Sequence, residues 1–146
     1  MPMVDLIDET FLVADPSAVA AAVHDSATTS SFWPDLELTV FQDRGLAGVR
    51  WTVTGALVGS AEVWLEPWGD GVVLHVYVRA DITRRGSATE PIAGSPSRLR
   101  RRSLAEIRRR AWAVKKAAWQ LKANLEDGRA PGEPGTGVAG SAPRQP

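Results

Sequence analysis

Four stretches in the middle of the chain alternate apolar and polar residues with a period of two. Leu36, Leu38 and Val40 alternate with Glu37 and Thr39, and Val49, Trp51 and Val53 with Arg50, Thr52 and Thr54. Ala61, Val63 and Leu65 alternate with Glu62, Trp64 and Glu66, and Val72, Leu74, Val76 and Val78 with His75, Tyr77 and Arg79. This pattern predicts four strands, each with one buried face. Residues 3–13, rich in strand formers with acids interspersed, predict a first strand. After the fourth alternating stretch the period changes. From Ser97 to Asp127 the spacing is that of one long, basic, amphipathic helix.

The hairpin registers are mutually consistent. A turn at Trp68-Gly69-Asp70-Gly71 sets Leu65 opposite Leu74, Val63 opposite Val76, Trp64 opposite His75 and Glu62 opposite Tyr77. A turn at Arg44-Gly45 sets Val40 opposite Val49 and Leu38 opposite Trp51. A loop centred on Leu57 sets Val53 opposite Ala61, Trp51 opposite Val63 and Arg50 opposite Trp64. Each register keeps every apolar series on one face, which a slip of one residue would break. The expected result is a four-stranded antiparallel meander with the first strand added at an edge.

Two short helices separate the first strand from the meander. Asp15-Pro16 predicts an N-cap followed by proline at the first helical position, with Ala18–Val23 helical. Thr28–Trp33 predicts a second short helix, stopped by Pro34. Residues 83–96 read as a polar loop. In the long helix, Leu104, Ile107, Ala111, Val114, Ala118, Leu121 and Leu125 form the apolar stripe, widened by Trp112 and Trp119. Arg108, Arg109, Lys115, Lys116 and Lys122 fall on the other side. Ser95-Pro96 offers a start, and the capping-box pattern Ser103-Leu104-Ala105-Glu106 a later one. Gly128 and Pro131 end the helix. Residues 1–127 are therefore expected to form one domain, and 128–146, mostly Gly, Pro, Ala, Ser and Thr, a disordered tail.

Composition narrows the classes. The chain has 146 residues and no cysteine, so neither a disulfide framework nor a thiolate site is expected. No apolar run is long enough for a membrane span. The acidic start is unlike a secretory signal, which predicts a cytoplasmic protein. Abundant arginine and alanine hint at a GC-rich genome, as in an actinobacterium. The formal net charge of zero conceals a separation, with 5 basic and 13 acidic residues in 1–97 against 12 basic and 4 acidic in 98–146. An acidic sheet and a basic helix attract each other, and the exposed helix face is either solvated or a surface for anionic partners.

The order strand, two short helices, meander and long C-terminal helix resembles the helix-grip α+β fold of the START-like (SRPBCC) superfamily of polyketide cyclase/dehydrase and lipid-transport proteins. The residues carrying the resemblance are Ala14-Asp-Pro-Ser-Ala-Val19, Phe32-Trp-Pro-Asp-Leu36, Gly48-Val-Arg-Trp51, Gly59-Ser-Ala-Glu-Val-Trp-Leu-Glu66 and Arg108-Arg-Arg-Ala-Trp-Ala-Val-Lys-Lys-Ala-Ala-Trp-Gln-Leu-Lys122. The pattern looks most like a small actinobacterial branch. The resemblance implies a hydrophobic ligand, lipid or polyketide-like, held between the sheet and the C-terminal helix. The superfamily usually has six strands between the short helices and the long one, and this sequence has four. That departure implies a narrower sheet and a small or absent cavity.

The expected pocket residues are Trp33, Leu38, Trp51, Val53, Val63, Leu74, Val76, Ala111, Trp112, Ala118 and Trp119. The proposed inner face holds no ionisable group, so its ligand would be apolar. Small Ala111 and Ala118 leave space for a ligand or let helix and sheet close up into a filled core. Arg98, Arg101, Arg102, Arg108 and Arg109 form the alternative site. They crowd the helix start against its dipole and would hold phosphate or another anion. An anionic membrane surface or an acidic protein is the corresponding partner, whereas nucleic acid is not expected without a recognition motif. For catalysis, His75 with Glu62 or Glu66 and Tyr77 is the available acid–base cluster, and it lies on the outer face. A cyclase-type enzyme that shapes a bound chain is the third reading. No metal-ligand spacing, phosphate loop or cofactor motif is present, so no metal or cofactor is expected.

Overall fold

The computed structural model describes residues 2–126. The chain runs β1 (Val4–Leu12), α1 (Pro16–Val23), α2 (Ser26–Phe32), β2 (Leu36–Asp43), a 3₁₀ turn (Gly45–Ala47), β3 (Gly48–Gly55), β4 (Leu57–Trp68), β5 (Gly71–Ile82) and α3 (Pro96–Glu126). The five strands form one antiparallel sheet in the order β1-β5-β4-β3-β2. The meander is present, with β1 added beside β5. The expected tail, 128–146, lies outside the described residues. No described helix is long and apolar enough to cross a membrane.

The β4–β5 register is the expected one, with Leu65 opposite Leu74 and Val63 opposite Val76. The β3–β4 register differs by two residues, as does β2–β3 from Leu36 to Val40, which preserves the faces, whereas past the bulge Val49 stands opposite Asp43 and not Val40. Trp51 stands opposite Val40 and Ala61, not opposite Leu38 and Val63. In β2–β3 the register shifts between Val40 and Gln42, and the 3₁₀ turn lengthens the connection beyond a tight hairpin. Asp43 Oδ1 accepts from the Gly45 amide at 2.8 Å, which nucleates that turn. In β3–β4 the chain reverses about Ala56, and Gly59 lies inside β4 instead of closing a loop. Gly48 opens β3 at φ 121°, where a Cβ would stand 1.9 Å from the Val63 carbonyl oxygen. Only glycine lets β3 approach β4 there.

Val49, Trp51, Val53, Ala61, Val63, Leu65, Val72, Leu74, Val76 and Val78 are buried in one apolar cluster with Val114, Ala118 and Leu121 of α3. Ile107, Ala111 and Leu125 are partly buried against it. The helix also lies along β1. Lys115 Nζ donates to the Glu9 carbonyl and to Thr10 Oγ1, each at 3.0 Å, and Lys122 Nζ donates to the Phe11 carbonyl at 2.7 Å. Lys115 and Lys122 thus turn toward the sheet edge, not toward open solvent as their spacing suggested. Leu104, expected in the buried stripe, is 54% exposed. The position facing the core there is Arg110, 3% exposed.

The loop from Thr83 to Ser95 contains one isolated bridge, Thr83 to Pro91, and no further strand. It folds back on the sheet end, where the Gly55 amide donates to the Ala88 carbonyl at 3.0 Å. Ser95 then caps α3, accepting at Oγ from the Arg98 amide.

Candidate ligand groove

The short helices position the first wall of a groove. Asp25 caps α2 by accepting from the Ala27 amide at 3.0 Å. Pro34 follows the helix end, so Trp33 turns inward and is 1% exposed. Its ring meets Trp51 edge-on at 5.8 Å and Phe32 at 5.7 Å. Opposite stand β2 and β3, offering Leu36, Leu38, Val40, Val49 and Trp51. Between them lies a groove of about 350 Å³, lined also by His24, Ser26, Thr29, Ser30 and Glu37.

The polar rim is largely committed to the fold. His24 Nδ1 donates to the Ala20 carbonyl at 2.7 Å and Nε2 to Asp43 at 2.9 Å, tying α1 to β2. These two bonds, the carbonyl first, raise the His24 pKa above its ordinary 6.5, with burial opposing. The Gly45 amide and then His24 lower that of Asp43. Thr29 Oγ1 donates to the Ser26 carbonyl. By contrast, the indole N–H of Trp33 is buried without a hydrogen-bond partner among the described residues.

Of the expected pocket residues, Trp33, Leu38 and Trp51 line this groove. Val53, Val63, Leu74, Val76 and Ala118 are buried in the apolar cluster, and Ala111 is partly buried beside it. Trp112 and Trp119 are 58% and 50% exposed on the far side of α3, so the structure does not bring them to the groove. Leu36 and Leu38 are half-buried and Val40 is 59% exposed, because β2 extends beyond the cover of the helices. Sequence reasoning missed His24, Thr29, Ser30 and Val49 as groove residues. The signal was the proximity of the two short helices to the first strand of the meander.

On the opposite sheet face, His75 stacks on Trp64 at 4.3 Å. Its ring nitrogens each stand 2.9 Å from a carboxylate oxygen, of Glu9 and of Glu66. Tyr77 lies parallel to it at 6.3 Å, its pKa raised by burial and then by Glu62, Glu9 and Glu66. Glu62 instead pairs with Arg44 at 2.7 Å and Arg50 at 3.6 Å. Arg50 sits over Phe41, 5.5 Å from the ring centre, and does not stack on Trp64 as its expected register implied. This cluster is separated from the groove by the thickness of the sheet. No group of three or more His, Asp or Glu side chains is placed to hold a metal among the described residues.

The arginines divide by partner. Arg110 places two nitrogens on the Asp35 carboxylate, at 2.7 and 3.1 Å, and a third on Glu106 at 2.5 Å. Arg109 reaches Glu106 at 2.6 Å. Arg98, Arg101, Arg102 and Arg108 are exposed and have no carboxylate partner among the described residues. Arg98 and Arg102 line a cleft of about 510 Å³ with Arg84, Arg85 and Ile92.

No family model and no curated protein matches this sequence. Solved structures do resemble the fold. Protein DR_A0006 of Deinococcus radiodurans has a TM-score of 0.58 at 10% identity, covering 85% of this chain and 98% of that one. The Aha1 dimer of Colwellia psychrerythraea has a TM-score of 0.52 at 14% identity, covering 87% and 99%. The Polyketide_cyc-like protein Cgl2372 of Corynebacterium glutamicum has a TM-score of 0.51 at 16% identity, covering 88% and 97%. With its five-stranded antiparallel sheet, paired short helices and long C-terminal helix, the chain has the helix-grip α+β fold.

Proposed function

We propose that the protein binds a hydrophobic small molecule, lipid or polyketide-like, in the groove between α1–α2 and β2–β3. The observation that carries this reading is the apolar wall of Trp33, Trp51, Val49, Leu36, Leu38 and Val40, behind which the Trp33 indole N–H is buried without a partner among the described residues. A buried donor left unpaired costs about 1–3 kcal/mol, and a ligand acceptor would remove that cost. At about 350 Å³ the groove suits a small ligand, with one or two rings or a short acyl chain and a carbonyl for Trp33.

The test pairs native mass spectrometry of protein isolated from its own host with titration by prodan, a neutral naphthyl ketone. Saturable one-to-one binding is expected. Trp33→Phe should weaken it by about five- to tenfold through loss of the donor. Because Trp33 is buried, Val40→Glu provides a second variant, placing charge in the groove wall at an exposed position. Absence of any co-purifying small molecule together with no saturable prodan binding overturns the reading.

A further inference from the structure

We propose that the solvent face of α3 docks on an anionic phospholipid bilayer. Arg101, Leu104, Arg108, Trp112 and Trp119 follow one another at helical spacing and share one face. Leu104, Trp112 and Trp119 are 54%, 58% and 50% exposed, and the two indoles meet edge-on with centres 6.0 Å apart. Nothing in the fold requires large apolar side chains there, since the core is filled by Val114, Ala118 and Leu121 from the opposite side.

The charges on α3 divide along the same line. Its inward-turned cations Arg110, Lys115 and Lys122 all have anionic partners, Asp35, Asp8 and Glu126. Of the outward ones, Arg109 pairs with Glu106, and Arg98, Arg100, Arg101, Arg102, Arg108 and Lys116 have none among the described residues. Both acids of the helix, Glu106 and Glu126, are engaged with Arg109, Arg110 and Lys122. The outward face is therefore cationic without internal compensation, and its first turns lie where the helix dipole also disfavours positive charge. An external anionic surface offsets both terms.

The shape selects the partner. The face from Arg101 to Trp119 runs about 27 Å along one helix and is convex, which matches a plane and not a narrow cleft. Tryptophan, with an apolar body and one N–H, is the side chain that settles at the boundary of acyl chains and headgroups. Each nearby cation contributes roughly 1 kcal/mol of attraction to an anionic leaflet, or about fivefold in partition. Because the opposite side of α3 belongs to the core, only two indoles and a leucine can insert. The binding is therefore peripheral and salt-sensitive.

The full chain is mixed with phosphatidylcholine vesicles, with and without phosphatidylserine, at low and high salt, and bound protein is separated by flotation. Phosphatidylserine-dependent partition, falling at least about tenfold at high salt, is expected. Trp112→Ala with Trp119→Ala should reduce it by about tenfold through lost apolar contact. Arg101→Glu, Arg108→Glu and Lys116→Glu together should reduce it by about 100-fold or more. All five positions are exposed, so the melting temperature reports whether either variant disturbs the fold. Equal partition into both vesicle types, or partition that neither variant changes, overturns the proposal. So does a Trp112- and Trp119-dependent dimer, or duplex DNA binding, without binding to either vesicle.

Discussion

Arg110 is the residue whose position departs furthest from its composition-based reading. Within the arginine run it looks like one more surface cation, yet its side chain is 3% exposed and holds Asp35 in two bonds. The signal was present in the spacing. Arg110 stands three residues after Ile107 and four before Val114, inside the buried stripe, and four after Glu106. What spacing could not supply was Asp35, brought there by the α2–β2 connection. A buried guanidinium is costly to leave unpaired, whereas replacing it by a similar apolar shape removes the desolvation cost as well. Asp35→Ala should therefore destabilise by about 2 kcal/mol, below the value for a fully buried pair because Asp35 is itself 40% exposed. Arg110→Met should cost clearly less. Urea midpoints of the two variants check the asymmetry, and the reverse order would refute it.

At the scale of elements, existence and order were legible from period and turn residues, while two of three registers were not. The β4–β5 register follows from Gly69 and Asp70 in a tight turn. The β2–β3 register depends on Asp43, which serves both the 3₁₀ turn and His24 of α1. A side chain from a distant helix thus competes with the local hairpin preference. That staple also titrates. The folded-state pKa of His24 is raised, so its contribution is full below 6.5 and is lost as pH rises through the folded value. The folded-state pKa of Asp43 is lowered, so its contribution is present above 3.8 and is lost as pH falls through the folded value. The stability difference between the native chain and His24→Gln should therefore be greatest between those two values and shrink on either side. Thermal melts across that range measure it, and added salt should flatten the curve.

For the whole molecule, the charge separation read from sequence resolves into two kinds of cation. Arg110 and Lys115 face inward and bind carboxylates of the acidic first half, Lys115 through Asp8 at 3.0 Å, whereas Arg98, Arg101, Arg102 and Arg108 face outward and do not. The apolar face of the sheet was legible because its period is strict. The groove was less so, because the short link from α2 to β2 shows that they are neighbours but not which of their faces meet across it. The two ends of the sheet also differ. At β1, the outward carbonyls of Glu9 and Phe11 are taken by Lys115 and Lys122. At the other end, β2 pairs only with β3 among the described residues, and Val40 and Phe41 are 59% and 66% exposed beside it. Lys115→Ala with Lys122→Ala should release the β1 carbonyls and raise light scattering on mild heating, where the native chain stays clear. Equal scattering from both would show that the helix alone protects that edge.

Sealing one end sets the arithmetic of any strand-to-strand association. A sheet with two open ends can add copies without limit and grow into a fibre. A sheet with one open end can meet a second copy only there, and the pair then presents its two sealed ends outward. With Lys115 and Lys122 on the β1 carbonyls, any strand-to-strand association is expected to run through β2 and to end at two molecules, a ten-stranded sheet.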